Sequence, residues 1–246
     1  MTNNQWLVSA LLAISAASAT AQTAAPTPDF SVTGNVGLFS DYRFRGISQT
    51  DRKPALQGGF DLTHSSGVYL GNWNSNIDSA LYNGSNLEMD LYGGYKTEFG
   101  GVGIDVGAIY YYYPGSGKGG TSKIDNTEIY LGASYGPVSF KYSHAVSDFF
   151  SVPNTKGSQY YDLAFTHDLG NGLGLNAHVG YQRVKNFPSN TGKITDYKLG
   201  VTYDLSGFIL GASYVGTNRD GNNFVGPQSG KDLAKDTVVL SVAKSF

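Results

Sequence analysis

The sequence predicts an all-β protein, a transmembrane antiparallel β-barrel of about 12 strands that follows a cleaved signal peptide. Three observations point there. From Ser31 onward apolar and polar residues alternate with a period of two, and helical spacing never replaces it. The connections between these segments are by turns short and long, as in outer-membrane barrels. The final stretch, Asp236 to Phe246, is itself a strand: Val238, Leu240, Val242 and Phe246 share one face, and Thr237, Ser241 and Ser245 share the other.

Composition narrows the choice further. The 246 residues fit one domain or one large barrel, and the absence of Cys rules out a disulfide framework. A net charge of −2, a pI near 6.0 and no basic stripe argue against nucleic acid as a partner. Gly 33 and Tyr 18 beside only 15% charged residues make a β-rich profile, because Gly serves turns and Tyr favours sheets and membrane interfaces. No run of 18 apolar residues occurs, which excludes a helical span. A mean hydropathy of −0.22 is compatible with a barrel, since only alternate residues meet lipid.

The N-terminus reads differently. Trp6 to Ala17 is apolar and helix-compatible, and Ala19, Thr20 and Ala21 supply an A-x-A site, so residues 1–21 are expected to be a signal peptide. Met1 to Gln5 departs from the usual pattern in having no Lys or Arg. Residues 22–29, with Pro26 and Pro28, read as a linker, and 30–246 as the barrel.

The first strand sets Val32, Val36, Leu38, Tyr42 and Phe44 against Thr33, Asn35, Asp41, Arg43 and Arg45, with Phe39 on the polar side, and a loop follows from Ile47 to Lys53. In the second strand Leu56, Phe60 and Leu62 oppose Gln57, Asp61 and Thr63. The third, Val68 to Ile77, admits either phase, because Tyr69 and Trp73 compete with Val68 and Leu70. The fourth opposes Leu87, Met89, Leu91 and Tyr95 to Glu88, Asp90, Tyr92 and Lys96, and the fifth opposes Val102 to Tyr112 on the even positions to Asp105, Tyr111 and Tyr113. The sixth and seventh bring Asn126, Glu128, Tyr130 and Lys141 to the polar face. In the eighth to tenth that face carries Tyr160, Asp162, Asn176, His178, Asp196 and Lys198, and the eleventh runs through Phe208, Leu210, Ala212 and Tyr214 to a long loop before the last. Every Pro lies outside a strand interior, as a ladder without a spare donor requires.

A soluble barrel or sandwich would alternate as well, with its polar face outward. The distribution of charge favours the membrane alternative: charges crowd one face, while Arg183 and Lys244 interrupt the apolar face. Lys244 stands near the end of its strand, where it can snorkel to headgroups.

The segments VGLFSDYRFRGISQT (Val36 to Thr50), YLGNWNSNID (Tyr69 to Asp78), LEMDLYGGY (Leu87 to Tyr95), YYYYPG (Tyr110 to Gly115), TEIYLGASYG (Thr127 to Gly136) and VVLSVAKSF (Val238 to Phe246) together resemble the TorF family of proteobacterial outer-membrane porins. The resemblance covers roughly Phe30 to Phe246. It implies a bacterial outer-membrane channel and brings no substrate and no functional residue with it.

With odd-numbered strands running outward, the charges of the polar face gather toward the extracellular half. The candidate pore lining is Asp41, Arg43, Arg45, Glu88, Asp90, Tyr111, Tyr113, Glu128, Tyr130, Asp162, Asp196 and Lys198. Opposed acidic and basic walls would sort solutes by charge; the alternative is a network of mutually satisfied pairs that fills the lumen. The excess of acids predicts a mild preference for cations or neutral polar solutes. No Ser, His and acid constellation stands out: His144 and His167 have apolar neighbours two residues away, and Ser66, two from His64, lies in a turn. His178 faces the lumen without Cys or a companion His, so no metal is expected, and no cofactor. The partners expected are outer-membrane lipid, the barrel assembly machinery reading the C-terminal strand, and small polar solutes, for a monomer or a homo-oligomer such as a trimer. A non-conducting barrel that acts through its outer loops in structure or adhesion is the alternative function.

Overall fold

A computed structural model describes residues 29–187, 192–219 and 224–246. The expected signal peptide and all of the linker except Asp29 lie outside the described residues.

Where the sequence alternates, the backbone is extended. The strands are β1 (Phe30–Phe39), β2 (Arg43–Phe44), β3 (Ile47–Ser48), β4 (Ala55–His64), β5 (Val68–Asn76), β6 (Leu87–Phe99), β7 (Val102–Tyr112), β8 (Asp125–Tyr135), β9 (Val138–Ala145), β10 (Gln159–Gly170), β11 (Leu173–Arg183), β12 (Lys193–Leu205), β13 (Phe208–Thr217) and β14 (Thr237–Ser245). All but β2 and β3 pair with their neighbours in sequence, and β1 meets β14 to close an antiparallel barrel of twelve strands. β2 and β3 form a separate hairpin.

Closure removes the free edges that a sheet could not leave unpaired in hydrocarbon. The β1–β14 ladder runs from Asn35↔Ser245 to Phe39↔Ser241. One further rung extends it: the Gly34 N–H donates to the Phe246 carbonyl at 2.7 Å, and the Phe246 N–H donates back at 2.9 Å. Both ends of the barrel chain therefore sit at the end of the short turns, such as Ser65–Gly67 and Ser206–Gly207, while the long connections gather at the other end.

Exposure decides which face is which. Leu56 is 60% and Leu240 58% exposed, whereas Glu88 and Asp196 stand at 1% and 0%. The apolar face is the outer wall and the polar face the inner one, the reverse of a soluble barrel. Lys244 lies on the outer wall near the turn end, with its Nζ 4.4 Å from the centre of the Phe208 ring. That contact gives the ammonium an aromatic neighbour while its stem covers apolar surface.

One open choice is decided and one expectation changes. The third strand of the barrel, β5, takes the phase in which Tyr69, Trp73 and Ser75 point inward and Val68 and Leu70 outward. The same phase leaves Asn72, Asn74 and Asn76 on the outer face, where Asn74 Nδ2 donates to Asn72 Oδ1 at 2.5 Å, and brings Ser75 inward beside Gln57. The first strand was expected to continue to Arg45, with Tyr42 and Phe44 on the lipid face, but β1 stops at Phe39. Tyr42 is buried, and Phe44 packs against the interior aromatic cluster instead of lipid. Asp41, Arg43 and Arg45 are thus loop and hairpin residues, because the chain turns into the barrel after Ser40.

Removal of Phe246 deletes the last closing rung, two backbone hydrogen bonds worth about 1–3 kcal/mol together. The variant barrel should then unfold at lower urea concentration than wild type, with an unchanged inner wall.

Candidate functional site

The loop end of the lumen is built around an inserted hairpin. β2 and β3 pair Arg43 with Ser48 and Phe44 with Ile47, leaving Arg45 and Gly46 as the turn. Their φ values, +47° and +81°, are those of the tight hairpin turn whose two central residues are both left-handed. Gly46 is also required by space, since a Cβ there would collide with Thr217 Cγ2 and lie 2.9 Å from Asp196 Cβ. The tip is therefore lodged against the β12–β13 wall.

From that tip Arg45 reaches across the lumen. Its Nη2 donates to Glu128 Oε2 on β8 at 2.7 Å, and its Nη1 donates to Gln182 Oε1 on β11. The guanidinium carbon lies 4.1 Å from the centre of the Tyr160 ring and 4.7 Å from that of Phe44. Glu128 is fully engaged, because its other oxygen accepts from Asn126 Nδ2 at 3.2 Å. A planar fork held by a carboxylate, an amide and a ring uses most of what distinguishes Arg from Lys.

The base of the hairpin is pinned just as firmly. Asp41 accepts from Arg43 Nε at 2.6 Å, Ser48 Oγ at 2.7 Å and Thr50 Oγ1 at 3.1 Å. Arg43 Nη1 donates to the carbonyls of Leu233 at 2.9 Å and Lys235 at 3.1 Å, and the Ser48 N–H donates to Leu233 as well. Farther out, Asp51 accepts from Ser229 and lies 3.3 Å from Lys53 Nζ and 3.7 Å from Lys231 Nζ. Burial alone would push its carboxyl up, but the hydrogen bonds from Ser229 and Lys53 and the Lys231 charge hold it below its ordinary value.

One side of the lumen beside the hairpin is aromatic. Phe44 meets Tyr111 at 5.7 Å and Phe150 at 5.6 Å between ring centres, and Tyr113 stacks on Tyr82 at 4.6 Å. Phe150 belongs to the loop after β9, where it and Ser151 both take left-handed backbone angles. Tyr113 donates to Glu88 Oε1 at 3.0 Å. Glu88 Oε2 and Asp90 Oδ1 are buried with no hydrogen-bond partner among the described residues. On the other side Tyr160 donates to both oxygens of Asp196 at 3.1 and 3.2 Å, and His178 lies between Asp162, at 3.0 Å, and Asp196, at 3.6 Å. Gly180 makes that approach possible, because a Cβ there would strike the Tyr160 hydroxyl.

The candidate residues thus fall into layers. Arg45 with Glu128, Asp41 with Arg43, and Tyr113 with Glu88 are direct partners; Asp162 and Asp196 are joined through His178; Tyr111 touches the hairpin and Asp90 stands beside it on β6. Tyr130 and Lys198 stand apart, each two residues farther along an inward-running strand than Glu128 and Asp196. Tyr130 contacts the Tyr69 hydroxyl and lies under Lys141 Nζ, 4.0 Å from its ring centre. Sequence reading missed Gln182, Phe150 and the bridging part of His178. The signal for the hairpin was the Arg45–Gly46 pair between two short alternating segments.

Other chemistry finds little footing. His64 Nδ1 and Ser66 Oγ are 2.8 Å apart, but the same nitrogen faces the Ser66 N–H at 3.1 Å, so the contact caps an exposed turn. Among the described residues no group of three or more His, Cys, Asp or Glu is placed to hold a metal.

A family model described as a bacterial protein of unknown function, Gcw_chp, matches residues 22–246. The chain belongs to the Gcw_chp family. Among solved structures, this Gcw_chp barrel is similar to the KdgM porin in complex with disordered oligogalacturonate, at TM-score 0.53 and 8% identity, over 87% of this chain and 98% of that one. It is similar also to the NanC porin in a rhombohedral crystal form, at TM-score 0.52 and 9% identity, over 88% and 99%. Likeness at these identities is one of fold: the Gcw_chp chain has a porin-like barrel. No curated protein matches its sequence.

Two outcomes test this geometry. Arg45→Ala leaves Glu128 buried and unpaired, at a cost of about 3–5 kcal/mol, and Arg45→Met combined with Glu128→Gln should restore most of the urea midpoint. Because the Asp51 carboxyl is depressed in the fold, its contribution is fully present above the unfolded value of about 3.9 and is lost as pH falls through the lower folded value. Asp51→Asn should therefore destabilise at pH 7, by about 1 kcal/mol or less for so solvent-near a group, and its effect should shrink as pH falls from the unfolded value through the folded one.

Proposed function

We propose that the protein is an outer-membrane channel through which small hydrophilic solutes pass by diffusion, with its loops facing out of the cell and its turns the periplasm. The observation that carries this reading is the inner wall. It remains polar along its length, from Thr33 and Thr166, exposed at the turn end, through half-buried Asn176, Ser213 and Lys198, to the hairpin. A lumen meant only to be filled has no need of a wetted lower half. The porin fold of KdgM and NanC supports the channel, as does the resemblance to TorF porins.

The hairpin is then the constriction and Arg45 its cross-strut. Solutes pass a ring in which acids outnumber bases: Glu88, Asp90, Glu128, Asp162 and Asp196 against Arg45, Lys141 and Lys198. Such a ring favours cations and neutral polar molecules and repels polyanions. Passage requires no cofactor, and insertion into the membrane goes through the assembly machinery reading β14.

A second reading rests on one observation. Around the hairpin the lumen is dry, with Tyr113 2% and Glu128 2% exposed, which suits a non-conducting barrel with a structural or adhesive role. Planar-bilayer recordings separate the two. Wild type should give small cation-preferring channels, and replacing Arg43–Ser48 by a short Gly-Ser link should raise the unit conductance severalfold. Strong anion selectivity would refute the acidic constriction, and silence from both proteins would establish the non-conducting barrel.

A further inference from the structure

The outer wall carries one charge arrangement that neither channel nor plug explains. Arg183 on β11 and Lys193 on β12 both point outward and are direct partners in the ladder. Like charges in facing positions destabilise a sheet pair. Elsewhere on this rim the chain avoids the problem: Asp125, at the start of β8, has Lys123 Nζ at 3.0 Å. Neither Arg183 nor Lys193 has a carboxylate partner among the described residues. More cations join them, since Lys185 follows in the same loop and Arg219 donates from its Nη2 to the Lys193 carbonyl.

These side chains border a recess of about 320 Å³, lined by Arg183, Lys185, Asn186 and Lys193 with Val184 and Phe187 as its apolar wall. At roughly 30 Å³ per water it has room for about ten waters. Its floor is anchored, because the Lys185 N–H donates to Ser158 Oγ at 3.1 Å and Asn186 Nδ2 donates to the Asn154 carbonyl at 3.0 Å. Depth is set by the outer-wall tyrosines. Tyr161 and Tyr181, 6.5 Å apart between ring centres, belong to the belt that marks a membrane–water boundary. Arg183 stands two residues beyond Tyr181, roughly 7 Å along the strand toward the loops. The cations therefore lie at headgroup height, above the lipid-facing Val179, Leu199 and Val201.

We propose that this recess binds a phosphorylated lipid headgroup of the leaflet on the loop side. A phosphate fits the planar Arg fork bidentately, takes the Lys ammonium on another oxygen, and converts the repulsive rung into a bridged one. The acyl chains would continue down the apolar outer wall beneath. A free anion would lack that second anchorage.

The test uses the full-length mature barrel, purified in neutral detergent and monitored by native mass spectrometry and thermal unfolding. The probes are a diphosphorylated glucosamine lipid, the same lipid without phosphates, and inorganic phosphate. The diphosphorylated lipid should remain bound and raise the unfolding temperature. Arg183→Gln with Lys193→Gln, both exposed and compatible with the fold, should weaken binding about 25-fold, at roughly fivefold per charge at a membrane surface. Arg183→Lys, which keeps the charge but loses the bidentate fork, should bind more weakly than wild type and more tightly than Arg183→Gln. Equal binding of the dephosphorylated lipid, or unchanged binding by the double variant, would overturn the proposal. Protection by inorganic phosphate matching that of the lipid would overturn the lipid as source. Bilayer conductance of the double variant should match wild type, so this outcome is independent of whether the lumen conducts.

Discussion

Everything in this molecule follows from the pairing of its first strand with its last. A sheet among acyl chains cannot leave N–H and C=O groups unpaired, and the β1–β14 ladder, extended by the Gly34–Phe246 rung at one end and by the Ser40 N–H donating to the Leu240 carbonyl at the other, joins the two ends of the strand series. Once that seam is made, the period of two acquires a physical direction. One face of every strand has lipid and the other has whatever the ring encloses.

Twelve strands enclose more space than their own inner side chains fill, and the chain spends its first loop on the surplus. The hairpin brings a cation into a wall rich in carboxylates, so Glu128 gains a partner that its own strand cannot offer. The desolvation of both charges is offset by an amide, a second amide and two rings. Removal of one partner is therefore costlier than the pair is favourable. The unpartnered oxygens of Glu88 and Asp90 show where this compensation stops.

Strands were legible in the sequence because most outer-wall positions are apolar and most inner ones polar, with exceptions such as Asn72, Arg183 and Lys244 too few to hide the period, and turns were legible through Gly, Asn and Pro. The site was half legible. Glu88, Glu128, Asp162 and Asp196 are strand residues, and parity alone sends them inward. Arg43 and Arg45 also read as inward, but for the wrong reason: RFRG alternates like a strand whether it continues β1 or turns into the lumen, and parity cannot distinguish the two. Tyr42 and Phe44 were misplaced by the same ambiguity. Trp73 and Tyr69 left β5 undecided because aromatic rings suit both a lipid interface and a lumen wall. Parity sent Gln182 inward with Asn176 and His178, but its partner could not be read, since that part depends on a hairpin more than a hundred residues earlier, bonded to it across the barrel.

The hairpin is synthesised early, yet its footing is late. Its base rests on the carbonyls of Leu233 and Lys235, the first of them 190 positions away in the chain, and its tip leans on β8, β11 and β12. None of these supports exists while the first strands are being laid down. The hairpin therefore has no footing of its own: it is held by partners that are gathered around it only when the whole ring is in place, so its conformation belongs to the closed barrel and not to the segment that carries it.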